Sequence, residues 1–406
     1  MKHVFKRSLI LCLLVFVSMT DSRAVDLTFR QYQVENGLSS NTVYTLIQDS
    51  KGFIWMGTED GLNRFDGYEF RIFRNNSREP ASIISNHIYK LFEDAEGLLW
   101  IGTEKGVCTY DTRTEKISQM HQTTKNGETI NGRVQSILED KTGRIWFSTY
   151  EQGVFRLNKK TGSLRHYSFD NFRHSISRNT FVTCLYMDKD GDCWVSANNT
   201  KHHLYKLDKK TGRFVPAFPH ADPDVLAKLD CYSITEDSFG NLWVGTWENG
   251  LFAINKKDGT LIPFLQEYAK KELLHIHTVM EYEPGKLMIG ADGGLRYYSI
   301  VQAADGRQQL LRIEKGSLSS NFVYTICRDR EGGLWIGTYY GGVYYSSPNQ
   351  HSFKQYVHRP AANSISGNVI STMQAGQRLF YPREQDRLFE TDGGIISPVH
   401  TDRLFY

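Results

Sequence analysis

The sequence predicts an all-β protein, a seven-bladed β-propeller of four-stranded antiparallel blades. Six of its seven tryptophans end the repeated phrase Asp-x-x-Gly-x-x-Trp, at spacings of 45, 46, 48, 49 and 92 residues. The long gap contains a weaker copy at 283–295, with Met288 in the Trp position. Units of about 40–50 residues with four short strands are typical of propeller blades, and seven of them can bury one another's faces in a ring.

The first 24 residues have the pattern of a secretory signal peptide. Lys2, Lys6 and Arg7 precede the apolar run 8–19, and small residues lead to cleavage after Ala24. That run is shorter than the ~20 residues that span a bilayer. We therefore expect a periplasmic protein without a membrane span of its own after cleavage.

The mature chain gives no electrostatic reason to expect nucleic-acid binding. The formal net charge is +3. Residues 1–24 contain four basic residues and one acidic residue, so the remainder is neutral, whereas nucleic-acid binding needs a basic surface. An odd number of cysteines follows the leader and cannot all pair, so we expect buried thiols; a Cys184–Cys193 pair across one hairpin is the alternative. These cysteines are Cys108, Cys184, Cys193, Cys231 and Cys327.

Each unit begins with a strand and a tight turn. The alternating runs VYTLIQD (43–49), IYKLFED (88–94) and VYTICRD (323–329) indicate half-buried first strands. In the phrase that follows, the Asp is expected to accept a bond from a turn amide and the Gly to adopt a left-handed conformation.

The second strand, such as WMGT or WIGT, ends in small residues that we expect to let neighbouring units pack closely. A second turn then leads to a third strand that starts with Gly, as in GVCTYD (106–111) and GVFRLN (153–158). The fourth copy lacks this Gly and reads HLYKLD at 203–208. A fourth strand, such as EFRIF (69–73), completes most units.

The two ends of the propeller leave alternatives open. Either LTFRQYQV (27–34) or FKQYVH (353–358) supplies the strand that closes the ring. We assign 25–358 to the propeller. We interpret 359–406, with Phe380 in the Trp position, as a degenerate eighth repeat that starts a truncated second propeller, or as a tail.

The repeated phrase resembles the "two-component regulator propeller" repeat. The best matches are NGLSSNTVYTLIQDSKGFIWMGTEDGLNRFDGYEF (36–70) and SLSSNFVYTICRDREGGLWIGTYYGGVYY (317–345), and the resemblance extends over about 27–358. That family forms the periplasmic sensor part of hybrid two-component systems, in which two propellers lead to a β-sandwich, a membrane helix, a histidine kinase and a DNA-binding regulator. The sequence predicts a truncated, split or free-standing version.

The resemblance implies a sensor that binds oligosaccharides released from polysaccharides, and we expect no enzyme activity and no cofactor. In a propeller, the turns between strands 2 and 3 and the loops between blades share one face, and both vary among the copies. Varied parts are expected to be functional, and aromatic and polar side chains suit sugars. The predicted ligand-binding residues are Glu59, Glu104, Tyr150, Glu151, Asn198, Trp247, Glu248, Tyr339 and Tyr340.

Other functions are weighed against this prediction. A structural or protein-binding propeller, as a homodimer or with a companion sensor chain, and a glycan-cleaving enzyme are the alternatives. The phrase is similar to the sialidase Asp-box, a structural turn, but no arginine cluster accompanies it. The His pairs 202–203 and 275/277 lack clear metal partners, and DKDGD (188–192) lacks the final Glu of a calcium loop, so no metal is predicted.

Overall fold

The computed structural model describes residues 28–167, 181–198, 203–220, 226, 228–256, 259–265, 275–302, 308–313, 318 and 322–348, and the backbone of four later strands. The predicted signal peptide lies outside these residues. Contacts divide the chain into two compact units, Met1–Pro348 and Asn349–Tyr406.

Seven four-stranded antiparallel sheets, here called blades 1–7, make up the first unit. In blades 1–6 the strands pair in chain order. The strands of blades 1 and 2 are β2 (Val43–Gln48), β3 (Ile54–Thr58), β4 (Gly61–Phe65), β5 (Phe70–Phe73), β6 (Ile88–Glu93), β7 (Leu98–Thr103), β8 (Gly106–Asp111) and β9 (Lys116–Gln119). Those of blades 3 and 4 are β10 (Val134–Glu139), β11 (Arg144–Thr149), β12 (Gly153–Asn158), β13 (Ser163–Tyr167), β14 (Phe181–Met187), β15 (Cys193–Asn198), β16 (Leu204–Asp208) and β17 (Arg213–Pro216).

The ring is completed by blades 5–7. Blades 5 and 6 contain β18 (Cys231–Glu236), β19 (Asn241–Thr246), β20 (Leu251–Asn255), β21 (Leu261–Phe264), β22 (Ile276–Glu283), β23 (Lys286–Ala291), β24 (Gly294–Gln302) and β25 (Gln308–Ile313). Blade 7 contains β26 (Val323–Arg328), β27 (Leu334–Thr338) and β28 (Val343–Ser346). The first strand of each blade packs against the first strand of the next, and β26 packs against β2, so these seven strands surround a central channel.

The N-terminal segment closes the ring. Strand β1 (Arg30–Tyr32) pairs antiparallel with β28, with Tyr32 opposite Val343, and supplies the fourth strand of blade 7. Tyr32 is buried and stacks on Trp335 with ring centroids 6.0 Å apart. A 3-10 helix (Val34–Asn36) leads from this strand to blade 1. Of the two predicted closing segments, 27–34 is the one used, and 353–358 lies outside the described residues.

The core consists of interfaces between neighbouring blades. Trp55 of blade 1, for example, is fully buried in one cluster with Ile88, Leu99 and Tyr110 of blade 2. The small residue two positions after each Trp permits this close packing, as predicted: a methyl group added to Gly245 would lie 2.4 Å from Cγ2 of Ile276 in the next blade. All five cysteines described are unpaired, and four are buried.

The second unit contains a separate four-stranded antiparallel sheet in chain order. Phe380 lies in its second strand, as the repeated tryptophans do in theirs. The strands are β29 (Thr372–Met373), β30 (Arg378–Phe380), β31 (Leu388–Asp392) and β32 (Ile395–Val399).

Candidate functional site

The face that contains the Asp-x-x-Gly turns, here called the Asp-turn face, has a structural hydrogen-bond pattern. One carboxylate oxygen of each Asp accepts a hydrogen bond from the Trp indole N–H at 2.7–3.0 Å. In blades 1, 2 and 5, for example, the other carboxylate oxygen accepts hydrogen bonds from backbone amides of the turn. The predicted turn is therefore confirmed, and the Asp also holds the tryptophan. The pairs are Asp49–Trp55, Asp94–Trp100, Asp140–Trp146, Asp188–Trp194, Asp237–Trp243 and Asp329–Trp335.

The opposite face, here called the mouth face, has a different construction. Each of the seven channel-lining strands has a register shift near its start that leaves one extra residue. The extra residue is the second of the strand in six blades and the third in β14. A β-bulge of this kind redirects a side chain. Four of the seven residues are tyrosines and one is histidine: they are Tyr44, Tyr89, Gln135, Thr183, Tyr232, His277 and Tyr324, and all line the channel.

Four of the five aromatic members of this set form a chain of ring contacts at the mouth. The ring centroid of Tyr44 lies 4.9 Å from that of Tyr89 and 5.8 Å from that of Tyr324, and His277 stacks on Tyr324 at 4.0 Å. Burial raises the pKa of Tyr324 to about 12, so its hydroxyl is protonated near neutral pH and can donate or accept a hydrogen bond. The mouth thus combines flat apolar faces with neutral polar groups.

The predicted site residues divide into two groups. In five blades the first residue of the 2–3 turn donates its backbone N–H to the residue that precedes a channel-lining strand, as Tyr339 does to Phe322 at 3.0 Å. This bond places Glu59, Glu104, Tyr150, Trp247 and Tyr339 beside the aromatic mouth. Asn198 occupies the corresponding position of blade 4, where its side chain bonds the half-buried Asp230.

Trp247 and Tyr339 make ring contacts to the bulged residues. Trp247 lies 4.7 Å from Tyr232, and Tyr339 stacks on Tyr324 at 5.5 Å. The second turn residues differ, because Glu151, Glu248 and Tyr340 are exposed. Tyr340 is 66% exposed and touches Tyr339 at 4.3 Å. Of the first turn residues, Tyr150 and Trp247 therefore line the channel, whereas these second turn residues are exposed.

A histidine–carboxylate cluster occupies one side of the mouth. His275 Nδ1 donates to one oxygen of Asp292 at 2.5 Å, and His277 Nε2 donates to the other at 2.8 Å. Burial opposes ionisation of Asp292, but the bonds from His277 and His275 outweigh it and lower the pKa of this carboxyl. His275 also stacks on Trp247 at 3.6 Å. Asp292 therefore fixes both rings against the aromatic mouth.

On the other side, the mouth has polar atoms without partners. The Arg133 guanidinium carbon lies 3.9 Å from the ring centroid of Tyr89, and Arg133 Nε is buried without a hydrogen bond. One oxygen of Asp230 is also buried and unbonded, and burial raises the pKa of this carboxyl although Asn198 opposes the shift. Unsatisfied buried polar atoms are rare in folded proteins and suit ligand contacts.

The channel beneath the mouth has a volume of about 830 Å³, within the range of small-molecule sites. The described residues contain no cluster of three metal-ligating side chains. In the same part of the chain, no helix is both long and apolar enough to cross a membrane.

Sequence reasoning missed the bulged residues and Arg133. The tripeptides VYT, IYK, CYS and IHT stand at the same point of five copies, since VYT occurs twice, and their middle residue is aromatic in each. If side chains simply alternated along each first strand, these rings would be directed between the blades. The extra residue of the bulge breaks the alternation and directs them into the channel.

Comparisons with known proteins place the chain among propellers. It matches the family described as "Two component regulator propeller" at 37–60 and 317–340, and the "SMP-30/Gluconolactonase/LRE-like region" at 50–269. A curated relative, histidine kinase P4 of Formosa agariphila, is 36% identical over 83 residues, which are 20% of this chain and 6% of the kinase.

Solved structures show the same fold. The extracellular domain of a hybrid two component system from B. thetaiotaomicron has a TM-score of 0.64 at 22% identity, and the match covers 92% of this chain and 49% of that one. The chain thus spans about half the length of that domain. A streptogramin B lyase structure has a TM-score of 0.55 at 12% identity, with 80% and 99% covered.

Proposed function

Since the chain belongs to the two component regulator propeller family, we propose that it is a periplasmic sensor propeller that binds an oligosaccharide at the mouth of its channel. The chain also belongs to the SMP-30/gluconolactonase/LRE-like family, whose match covers residues 50–269. In this proposal the bound sugar is the input of a two-component system that regulates polysaccharide use. The ligand binds without being cleaved.

One observation supports this proposal above the others: rings from several blades converge on the mouth. Tyr44 contacts Tyr89 and Tyr324, and Tyr232 contacts Trp247. All five residues line the channel. Sugar rings stack on such faces through their C–H groups, and phenol hydroxyls, carboxylates and amides bond sugar hydroxyls.

The extracellular position of the B. thetaiotaomicron domain and the predicted leader support a location outside the cytoplasm. Fractionation of cells that express the full chain tests this part. Recovery of a processed chain in the periplasm supports the proposal, and recovery of the intact chain in the cytosol contradicts it.

Binding is best tested through Trp247, because the six repeated tryptophans are buried in the blades. We expect plant or host oligosaccharides of one class to change Trp247 fluorescence saturably, with calorimetry giving the same Kd. Trp247→Ala and Tyr339→Ala are expected to weaken binding at least tenfold. Tyr68→Ala is the control, since Tyr68 is 95% exposed and lies at the 3–4 turn of blade 1, away from the mouth.

The same mixtures test the enzymatic alternative. The SMP-30/gluconolactonase/LRE-like match and the lyase likeness make this measurement necessary. Mass spectrometry after incubation is expected to find the sugars intact. Shortened or eliminated products that disappear in Asp292→Asn would contradict the sensor proposal.

A further inference from the structure

One lysine interrupts a ring of small residues inside the channel. Lys90 is the third residue of β6 and lines the channel. The equivalent residues of the other six blades have hydroxyl or thiol side chains: Thr45, Ser136, Cys184, Ser233, Thr278 and Thr325. Burial lowers the pKa of Lys90, and the Cys184 thiol of blade 4, which lines the same channel, partly opposes this shift.

The side-chain ammonium of Lys90 forms no ion pair or hydrogen bond with any described residue. Among those that line the channel, the one acidic side chain is Glu139, and it has other partners: Lys159 Nζ at 2.9 Å and the Ala95 amide at 2.8 Å. Glu139 is also the last residue of β10, at the Asp-turn end of the channel. Its charge is therefore already balanced at a distance from the mouth.

A second cation of the same kind lies in the adjacent blade. Arg133 directly precedes β10, contacts Tyr89 and Tyr150 through its guanidinium, and forms no ion pair with the described residues. The acidic residues Glu59 and Glu104 lie at the rim and are exposed to solvent. Neither cation has an ion pair that would compensate for the hydration it loses in the hydroxyl-lined channel. An anion between them would restore that balance.

We propose that the channel binds an anionic group of the ligand, a carboxylate or a sulfate, between Lys90 and Arg133. This inference rests on the proposed function and specifies its ligand class: an acidic oligosaccharide that holds a sugar ring against Tyr89 and places its charged group below the aromatic mouth. The guanidinium offers two parallel N–H donors to such a group, and the ammonium offers a point charge.

Calorimetry of the full chain with three ligands of equal length tests the inference. The ligands are an oligogalacturonide, the same oligogalacturonide with its carboxyl groups reduced, and a sulfated galacto-oligosaccharide. We expect one acidic ligand to bind at least tenfold more tightly than the reduced one, and its affinity to fall with added salt. Lys90→Met is expected to remove this preference, and Arg133→Gln to weaken it.

Lys116→Met is the matched control, because Lys116 is an exposed lysine on the outermost strand of the same blade. The melting temperature of Lys90→Met shows whether a loss of binding reflects misfolding. We expect it to be unchanged or higher, since the substitution removes an unpaired charge from the channel.

The outcomes separate this inference from the proposed function. Equal binding of the reduced and acidic ligands overturns the anion site and leaves the sensor proposal standing. If no oligosaccharide binds, the sensor proposal fails, and titration with galacturonate and inorganic sulfate decides the anion site. If Lys90→Met binds galacturonate or sulfate more weakly than the unchanged protein does, the anion site is supported. If both proteins bind the two anions equally, or neither protein binds them, the anion site is overturned.

Discussion

On the Asp-turn face, Asp237 accepts bonds from the Trp243 indole, the Asn241 side chain and two backbone amides. At the mouth, Asp230 has one buried oxygen without a partner. The first arrangement recurs with small changes in six blades, whereas residues of the mouth differ from blade to blade. A face whose polar atoms are bonded within the blade holds the fold together, and a face with open polar atoms is available to a ligand.

The largest expected effect is loss of one of the repeated aspartates. Asp237→Ala leaves the buried Trp243 N–H and two turn amides without acceptors, so we expect the free energy of unfolding to fall by about 3–5 kcal/mol. At the mouth, Glu104→Ala is expected to change it by less than about 0.5 kcal/mol, since Glu104 is exposed. Urea unfolding measures both, and equal losses would remove the distinction between the faces.

A smaller effect is expected where blades approach each other. Gly245→Ala places a methyl group against Ile276, and overpacking of this kind costs about 1–3 kcal/mol. Ser148 occupies the same position in blade 3, where its buried hydroxyl has no partner, so Ser148→Ala is expected to be neutral or stabilising. Thermal melts of both variants provide the measurement. If Gly245→Ala has the melting temperature of the original protein, the blades tolerate a wider spacing.

Carboxylates on the two faces should respond oppositely to pH. Burial opposes ionisation of Asp94, but bonds from Trp100 and Lys159 outweigh it and lower its pKa below the ordinary 3.8, whereas burial raises the pKa of Asp230 above it. Ionised Asp94 therefore stabilises the fold above pH 3.8, and this contribution is lost as the pH falls through its lower folded-state pKa. Ionised Asp230 destabilises the fold, and that penalty disappears as the pH falls toward 3.8.

Two substitutions test this opposite pH dependence, with the urea concentration at the unfolding midpoint measured at pH 7, 5 and 4. Asp94→Asn is expected to lower the midpoint by a similar amount at each pH. Asp230→Asn is expected to raise it at pH 7 and to have progressively less effect toward pH 4. A midpoint lowered by Asp230→Asn at pH 7 would mean that this carboxylate is paired and that the mouth is not open there.

The smallest effect on stability is expected at Tyr340, which is 66% exposed. Tyr340→Ala should leave the free energy of unfolding within about 0.5 kcal/mol of the original value, while weakening the binding of any sugar found in the fluorescence titration. Calorimetry on the folded variant checks the second part. Unchanged affinity would restrict the site to the first turn residues and the bulged ring.

Much of the fold was predictable because its determinants are local. The turn at Asp49 follows from an Asp two residues before an accessible amide and a Gly at Gly52 with a φ of 96°, and the phrase repeats. The predicted third strands 106–111 and 153–158 coincide with β8 and β12. For the candidate site, the sequence predicted that Trp247 and Tyr339 lie on the mouth face, because their position varies among otherwise uniform copies. Their role in binding stays a prediction.

The sequence by itself determined the number of blades, the turns, the buried tryptophans and the small residues between blades, since each depends on neighbours within one repeat. Tertiary structure alone decided that β1 closes the ring, because that pairing joins residues more than 300 positions apart. It also decided that the bulged rings, Lys90 and Arg133 meet in one channel. These contacts join side chains from different blades, and their proximity depends on ring closure rather than on any local pattern.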